Sequence, residues 1–162
     1  MPHLIRFLLS VLSLIHATFA LAQVKKMPDF QFKRISDGAQ LTRKALQPTL
    51  KTLFVFFDTE CPHCMQALSA WNASHASVDS INTVLLTMDP PMAAIPFLNR
   101  FANKLLYKKH LLTGIDTDRQ FIARFLPKKY PSMFLFSEKG DLLLYTDEEK
   151  DIPSLIRLIR KK

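Results

Sequence analysis

The segment Lys51-Thr52-Leu53-Phe54-Val55-Phe56-Phe57 constrains this chain more than any other, because it is apolar without alternation and runs almost directly into Cys61-Pro62-His63-Cys64. A strand with one wet face alternates between apolar and polar residues. A strand apolar on both sides must be covered on both, as in the centre of a parallel or mixed sheet. Beyond the motif, Met65, Leu68, Trp71 and the stretch from Asn72 to Ala76 follow helical spacing. Pro62 suits a first helical turn, where its missing N–H is not needed. The reading is therefore a buried strand, a sharp junction and a helix with Cys61 at its N-terminus.

These two cysteines are the only ones in the 162 residues. A disulfide between them closes too small a loop to restrict the unfolded chain much, so the pair is chemical rather than structural. A thiol attacks as its thiolate, and a helix N-terminus favours that charge. His63 adds a donor, or a positive charge when protonated. Cys61 is the expected nucleophile, and Cys64, one turn later and more buried, resolves the mixed disulfide. Glu60, beside Cys61, opposes the thiolate.

Residues 1–22 read as an export signal, with Arg6, the apolar run Phe7 to Ile15, and Ala20-Leu21-Ala22 as the cleavage signature. An uncleaved membrane anchor facing the periplasm is the other reading, although His16 interrupts a run already short for a span. No cysteine lies near this site to accept a lipid. Removing residues 1–22 takes away one basic residue and no acid, so the net charge falls from +8 to +7. The lysines are scattered in pairs among acids and the chain is read as exported, so nucleic acid is not an expected partner.

The remaining chain reads as one domain, residues 27–162. Asp29-Phe30-Gln31-Phe32-Lys33 alternates as a strand, Ser36-Asp37-Gly38 turns, and a short strand reaches Leu41. Ile81 to Met88 is a second apolar strand. From Pro96, the residues Leu98, Phe101, Ala102, Leu105 and Leu106 mark a helix. Asp116 or Thr117 caps a third helix that carries Phe121, Ile122 and Phe125 and stops before Pro127. Ser132 to Phe136, Lys139-Gly140-Asp141 and Leu142 to Tyr145 form a hairpin, and an amphipathic helix starts near Asp151. Glycines at 38, 114 and 140 alone build no phosphate loop, so no nucleotide or flavin cofactor is expected. Asn72-Ala73-Ser74 has the form of a glycosylation site within the helix after Cys64.

The strand-to-Cys61-Pro62-His63-Cys64 junction, the element order, the Asp37-Gly38 turn, Tyr130-Pro131 before a strand and Lys139-Gly140-Asp141 together resemble the thioredoxin superfamily. Met27-Pro28-Asp29-Phe30 and the segment between Met88 and Pro131 resemble its exported TlpA-like or redoxin group. The resemblance implies an α/β, thioredoxin-like fold: a central mixed sheet flanked by helices, with an N-terminal strand extension. It implies a thiol-disulfide oxidoreductase in which Cys61 and Cys64 are the redox pair and Pro62 and His63 tune it. Pro131 matches the family's cis-proline, and Tyr130 offers main chain to an extended substrate. Val55 and Ala67 stand where members of this superfamily carry proton-shuttling acids, and Asp58 and Glu60 are the nearby acids left.

The expected role is reduction of protein disulfides by a monomer, periplasmic or secreted, recharged by an upstream redox protein. A DsbA-like disulfide donor is the alternative, since Pro-His inside the motif resembles that group. Cu(I) or zinc binding and a redox-silent peptide-binding module are two more, although two thiolates and one imidazole fall short of a closed zinc site.

Overall fold

A computed structural model describes residues 24–161. The expected export signal, residues 1–22, lies outside the described residues. In chain order the elements are β1 (Gln31–Arg34), β2 (Gln40–Thr42), β3 (Thr52–Phe56), α1 (Pro62–Ala73), β4 (Asn82–Thr87), α2 (Pro91–Phe101), β5 (Leu111–Ile115), α3 (Gln120–Phe125), β6 (Ser132–Phe136), β7 (Leu142–Thr146) and α4 (Ile152–Arg160). Seven strands form one sheet in the order β2-β1-β5-β4-β3-β6-β7. The centre, β5-β4-β3, is parallel and both margins are antiparallel. This is the mixed sheet with an N-terminal strand extension that the resemblance implies.

Every residue of β3 is buried, for the reason its composition suggests. Successive side chains of a strand point to opposite faces. Leu53, Val55 and Phe57 enter a layer formed with Leu68 and Trp71 of α1, Leu98 of α2 and Leu155 of α4. Phe54 and Phe56 enter the opposite layer, with Phe121 and Phe125 of α3 and with Phe30 and Phe32 from the N-terminal segment. Phenylalanine dominates the second layer, with Met27, Leu41, Leu46, Val84 and Leu86 filling between the rings. The Phe54 ring lies 5.3 Å from Phe30 edge-on, 5.0 Å from Phe125 and 6.0 Å from Phe136 edge-on. Such offset and edge contacts add to the energy of burial. In the first layer, Trp71 donates its indole N–H to the sulfur of Met133 at 3.3 Å.

The structure corrects several boundaries. The helix expected from Pro96 to Leu106 starts at Pro91 and ends at Phe101, with Pro96 inside it and a separate 3₁₀ turn at Leu105–Tyr107. Pro91, not Pro96, takes the first helical turn. Pro96 leaves the carbonyl of Met92 without its intrahelical donor, and Met92 is 81 % exposed, so water can reach that end. The helix after the motif stops at Ala73, and a 3₁₀ turn over His75–Val78 follows.

The sequence reading has no strand at Leu111–Ile115, yet β5 joins the N-terminal extension to the parallel centre. Only its last two residues are fully buried, and Thr113 and Gly114 interrupt its short apolar run. A Cβ on Gly114 would sit 3.1 Å from the side-chain tips of both Leu41 and Leu86, so a larger residue would need those leucines to shift by a few tenths of an ångström.

Phe54→Ala is expected to cost about 3–5 kcal/mol, the usual loss for a buried phenylalanine, read as a lowered urea midpoint. Leu143→Ala, on the outward side of β7 and 39 % exposed, should stay within about 0.5 kcal/mol of the parent.

Candidate functional site

The cysteine motif lies just past the carboxyl end of β3. The chain leaves that strand at Phe57, whose N–H still donates to the carbonyl of Leu86 at 2.9 Å, and turns through Asp58-Thr59-Glu60 into α1. Cys61 is the N-cap of α1, with extended backbone (φ −80°, ψ 117°), and Pro62 occupies the first turn. The Cys61 carbonyl accepts the N–H groups of Cys64 at 3.0 Å and Met65 at 3.2 Å. The strand fixes where the turn begins, and the proline fixes where the helix does.

Both cysteines are free thiols, and their environments differ. Cys61 is half-buried. Its Sγ lies 3.9 Å from the carbonyl oxygen of Tyr130, to which the thiol can donate. Cys64 is fully buried within the layer that also holds Val55, Ala67 and Met133. Burial pushes the Cys64 thiol well above its ordinary range, and the neighbouring Cys61 and Asp58 push it further the same way. One interaction opposes this: the N–H of Asp58 points at Cys64 Sγ at 3.5 Å.

The facing wall is the start of β6. The Tyr130–Pro131 peptide bond is cis, Pro131 is buried, and the Tyr130 ring stands 4.9 Å from Phe56. Burial, then the charges of Asp58 and Asp89, hold the Tyr130 hydroxyl up at about 12. A cavity of about 150 Å³ opens beside Tyr130, lined by Phe56, Ile122, Pro127, Lys128 and Lys129 as well. The structure thus brings Cys61, Cys64, Tyr130 and Pro131 together.

His63 is on the surface. Its imidazole is largely exposed, and its Nδ1 lies 3.8 Å from the carboxylate of Glu149, in the turn before α4. Val55 and Ala67 are sealed, with no carboxylate in either position. Glu60 is exposed and donates its N–H to Asp58 Oδ1 at 2.8 Å. Asp116 caps α3 as the sequence suggests, accepting the N–H groups of Gln120 at 2.9 Å and Phe121 at 2.8 Å. Two contributors escape the sequence reading: the Asp58 peptide N–H, and Asp89, whose carboxylate accepts the Thr59 N–H at 2.8 Å from the end of β4. Thr87-Met88-Asp89 at the end of an apolar strand was the available signal, since Thr and Asp side chains often bond to nearby backbone.

The burial difference has a measurable consequence. A short iodoacetamide pulse on the reduced, folded protein should label Cys61, whereas Cys64 should label only on unfolding, as read by peptide mass mapping. The elevated Cys64 thiol also sets a pH trend. It stays protonated in the fold where the unfolded thiol ionises, so its contribution is full below ~8.5 and is lost as pH rises above that value. The reduced protein should lose stability to urea between pH ~8.5 and ~9.5, below the ordinary tyrosine pKa of ~10, and Cys64→Ala should flatten that slope.

No protein-family model and no curated protein matches the sequence. Solved structures do match. A secreted Mycobacterium tuberculosis disulfide oxidoreductase homologous to E. coli DsbE is 16 % identical, with a TM-score of 0.64 over 80 % of this chain and 95 % of that one. A thioredoxin-like protein from Aeropyrum pernix is 12 % identical, with a TM-score of 0.65 over 80 % and 89 %. The peroxidoxin BcpB from Mycobacterium tuberculosis is 13 % identical, with a TM-score of 0.67 over 86 % and 100 %. The similarity spans nearly the whole length of each, through the same mixed sheet and flanking helices, and this chain has the thioredoxin-like fold.

Proposed function

We propose that this chain is an exported thiol-disulfide oxidoreductase that reduces protein disulfides with the Cys61/Cys64 pair. A fold shared by a disulfide oxidoreductase and a peroxidoxin does not choose between chemistries. The observation that carries the reading is the division between the two sulfurs: Cys61 half-open at the cap of α1, and Cys64 sealed one turn further in.

In the forward direction the Cys61 thiolate attacks one sulfur of a substrate disulfide. The substrate S–S bond breaks, a Cys61–substrate disulfide forms, and the departing thiolate takes up a proton. Cys64 then gives up its proton and attacks Cys61 Sγ, releasing the second substrate thiol. Two electrons have passed from the pair to the substrate, and the pair is left as a disulfide. An upstream dithiol protein returns two electrons and two protons. Tyr130 and Pro131 would hold the substrate backbone alongside Cys61, and the cavity beside Tyr130 gives a flanking side chain room.

Export rests on residues 1–22, read as a signal that places the mature domain in the periplasm or outside the cell, or as an anchor if it is retained. No helix among the described residues is long and apolar enough to cross a membrane. Cu(I) or zinc binding draws no support from the geometry, because His63 is turned toward Glu149.

Cys64→Ser is expected to capture substrate proteins as mixed disulfides at Cys61, released by dithiothreitol; recovery of none sinks the enzyme reading. The reduction potential of the wild-type pair sets the direction. A value of about −270 mV supports a reductant, and one of about −120 mV moves the assignment to a disulfide donor.

A further inference from the structure

Three consecutive N–H groups at the exit of β3 point to three different acceptors. Phe57 donates to the Leu86 carbonyl at 2.9 Å, Asp58 to Cys64 Sγ at 3.5 Å and Thr59 to the Asp89 carboxylate at 2.8 Å. The middle donor is the one that meets the chemistry, and its direction is set by the bonds on either side. The first belongs to the sheet. The second depends on one side chain from the neighbouring strand.

That side chain is itself held. Asp89 Oδ2 also accepts from the hydroxyl of Thr87 at 3.1 Å, and the same hydroxyl accepts the Asp89 N–H at 3.1 Å. Thr87 is fully buried, so this contact has a rigid base at the end of β4. Asp58 Oδ1 accepts the Glu60 N–H at 2.8 Å, which tightens the turn from within. A path of short contacts therefore leads from Thr87 through Asp89 and the Thr59 peptide to the Asp58 N–H and the resolving sulfur.

We propose that Asp89 is a positioning residue for the resolving step: it holds the Asp58–Thr59 peptides so that the Asp58 N–H meets the charge that develops on Cys64. The proposal rests on the thiol-disulfide reading above. Resolution requires a thiolate inside an apolar layer, where a charge without a partner is costly. Val55 and Ala67 place no acid against Cys64, so the fixed main-chain donor is what the site offers that charge. A hydrogen bond to an ionised acceptor is stronger than one to a neutral acceptor, so the contact gains strength as Cys64 loses its proton. A donor already aimed at the site of developing charge has nothing to reorganise.

The two steps separate with 5,5′-dithiobis(2-nitrobenzoic acid) in stopped flow on the reduced full-length chain. Attack by Cys61 releases a first thionitrobenzoate, and attack by Cys64 on Cys61 Sγ releases a second. Asp89→Ala is expected to leave the first release unchanged and to slow the second about tenfold, the order of one hydrogen bond to a charged group. Asp89→Asn keeps an acceptor oxygen while removing the charge, and should restore the second release. Thr87→Val leaves Asp89 in place, removes the hydroxyl that braces it, and should slow the same release.

An unchanged second release in both Asp89→Ala and Thr87→Val overturns the proposal. So does equal slowing of both releases, or an Asp89→Asn variant as slow as Asp89→Ala. A wild-type protein that gives a single release defeats the functional reading itself, which keeps the two failures apart.

Discussion

The constraint on which the structure depends is that β3 has no free face. Five buried residues in sequence, extended by Phe57, leave water no side from which to approach, so helices have to cover the sheet above and below. Once both layers are present, the end of β3 is the first place where the chain reaches solvent. The cysteine pair sits there. The turn Asp58-Thr59-Glu60 is short, and Pro62 starts the next helix almost at once, so the position of Cys61 follows from the packing of a strand several residues earlier.

The same packing separates the two thiols chemically. Residues three apart on a helix lie nearly one turn from each other, and at this helix start one faces the opening toward β6 while the other faces the core. Layer and opening meet at the cap of α1, so one sulfur inherits access and the other inherits an apolar surrounding. The layer that buries Cys64 also fills the neighbouring positions with Val55 and Ala67, and polar help for that sulfur arrives from main chain. The surroundings of the pair are thus set by how strands β3 and β4 end as much as by the four-residue motif.

How legible this was in the sequence depended on the range of the signal. The buried strand, the cap of α1, the closing hairpin and the Asp116 cap are written in contiguous residues, and they stand where local patterning puts them. β5 was not legible, because Leu111–Ile115 is half-open along most of its length and carries Gly114 beside Leu41 and Leu86, far away in the chain. The start of α2 differs because two exposed prolines competed for one role, and Pro96 is tolerated inside the helix. His63 reads as a neighbour of the thiols, and nothing in its own stretch of sequence signals Glu149, whose carboxylate lies 3.8 Å from the imidazole. The contact of Asp89 with Thr59 crosses from one strand end to the next, and no spacing rule reaches that far.

The indole that rests on Met133 has a use of its own. Trp71 is the single tryptophan of the chain, sealed from water, and it is carried by the same helix as the two sulfurs. Its emission belongs to one place in the molecule, so the chain carries an intrinsic optical probe of the α1 layer. Light from a dry indole shifts to longer wavelength when water enters. A loosening of α1 would therefore announce itself in colour, even while the aromatic layer on the other side of the sheet, which holds no indole, stayed silent.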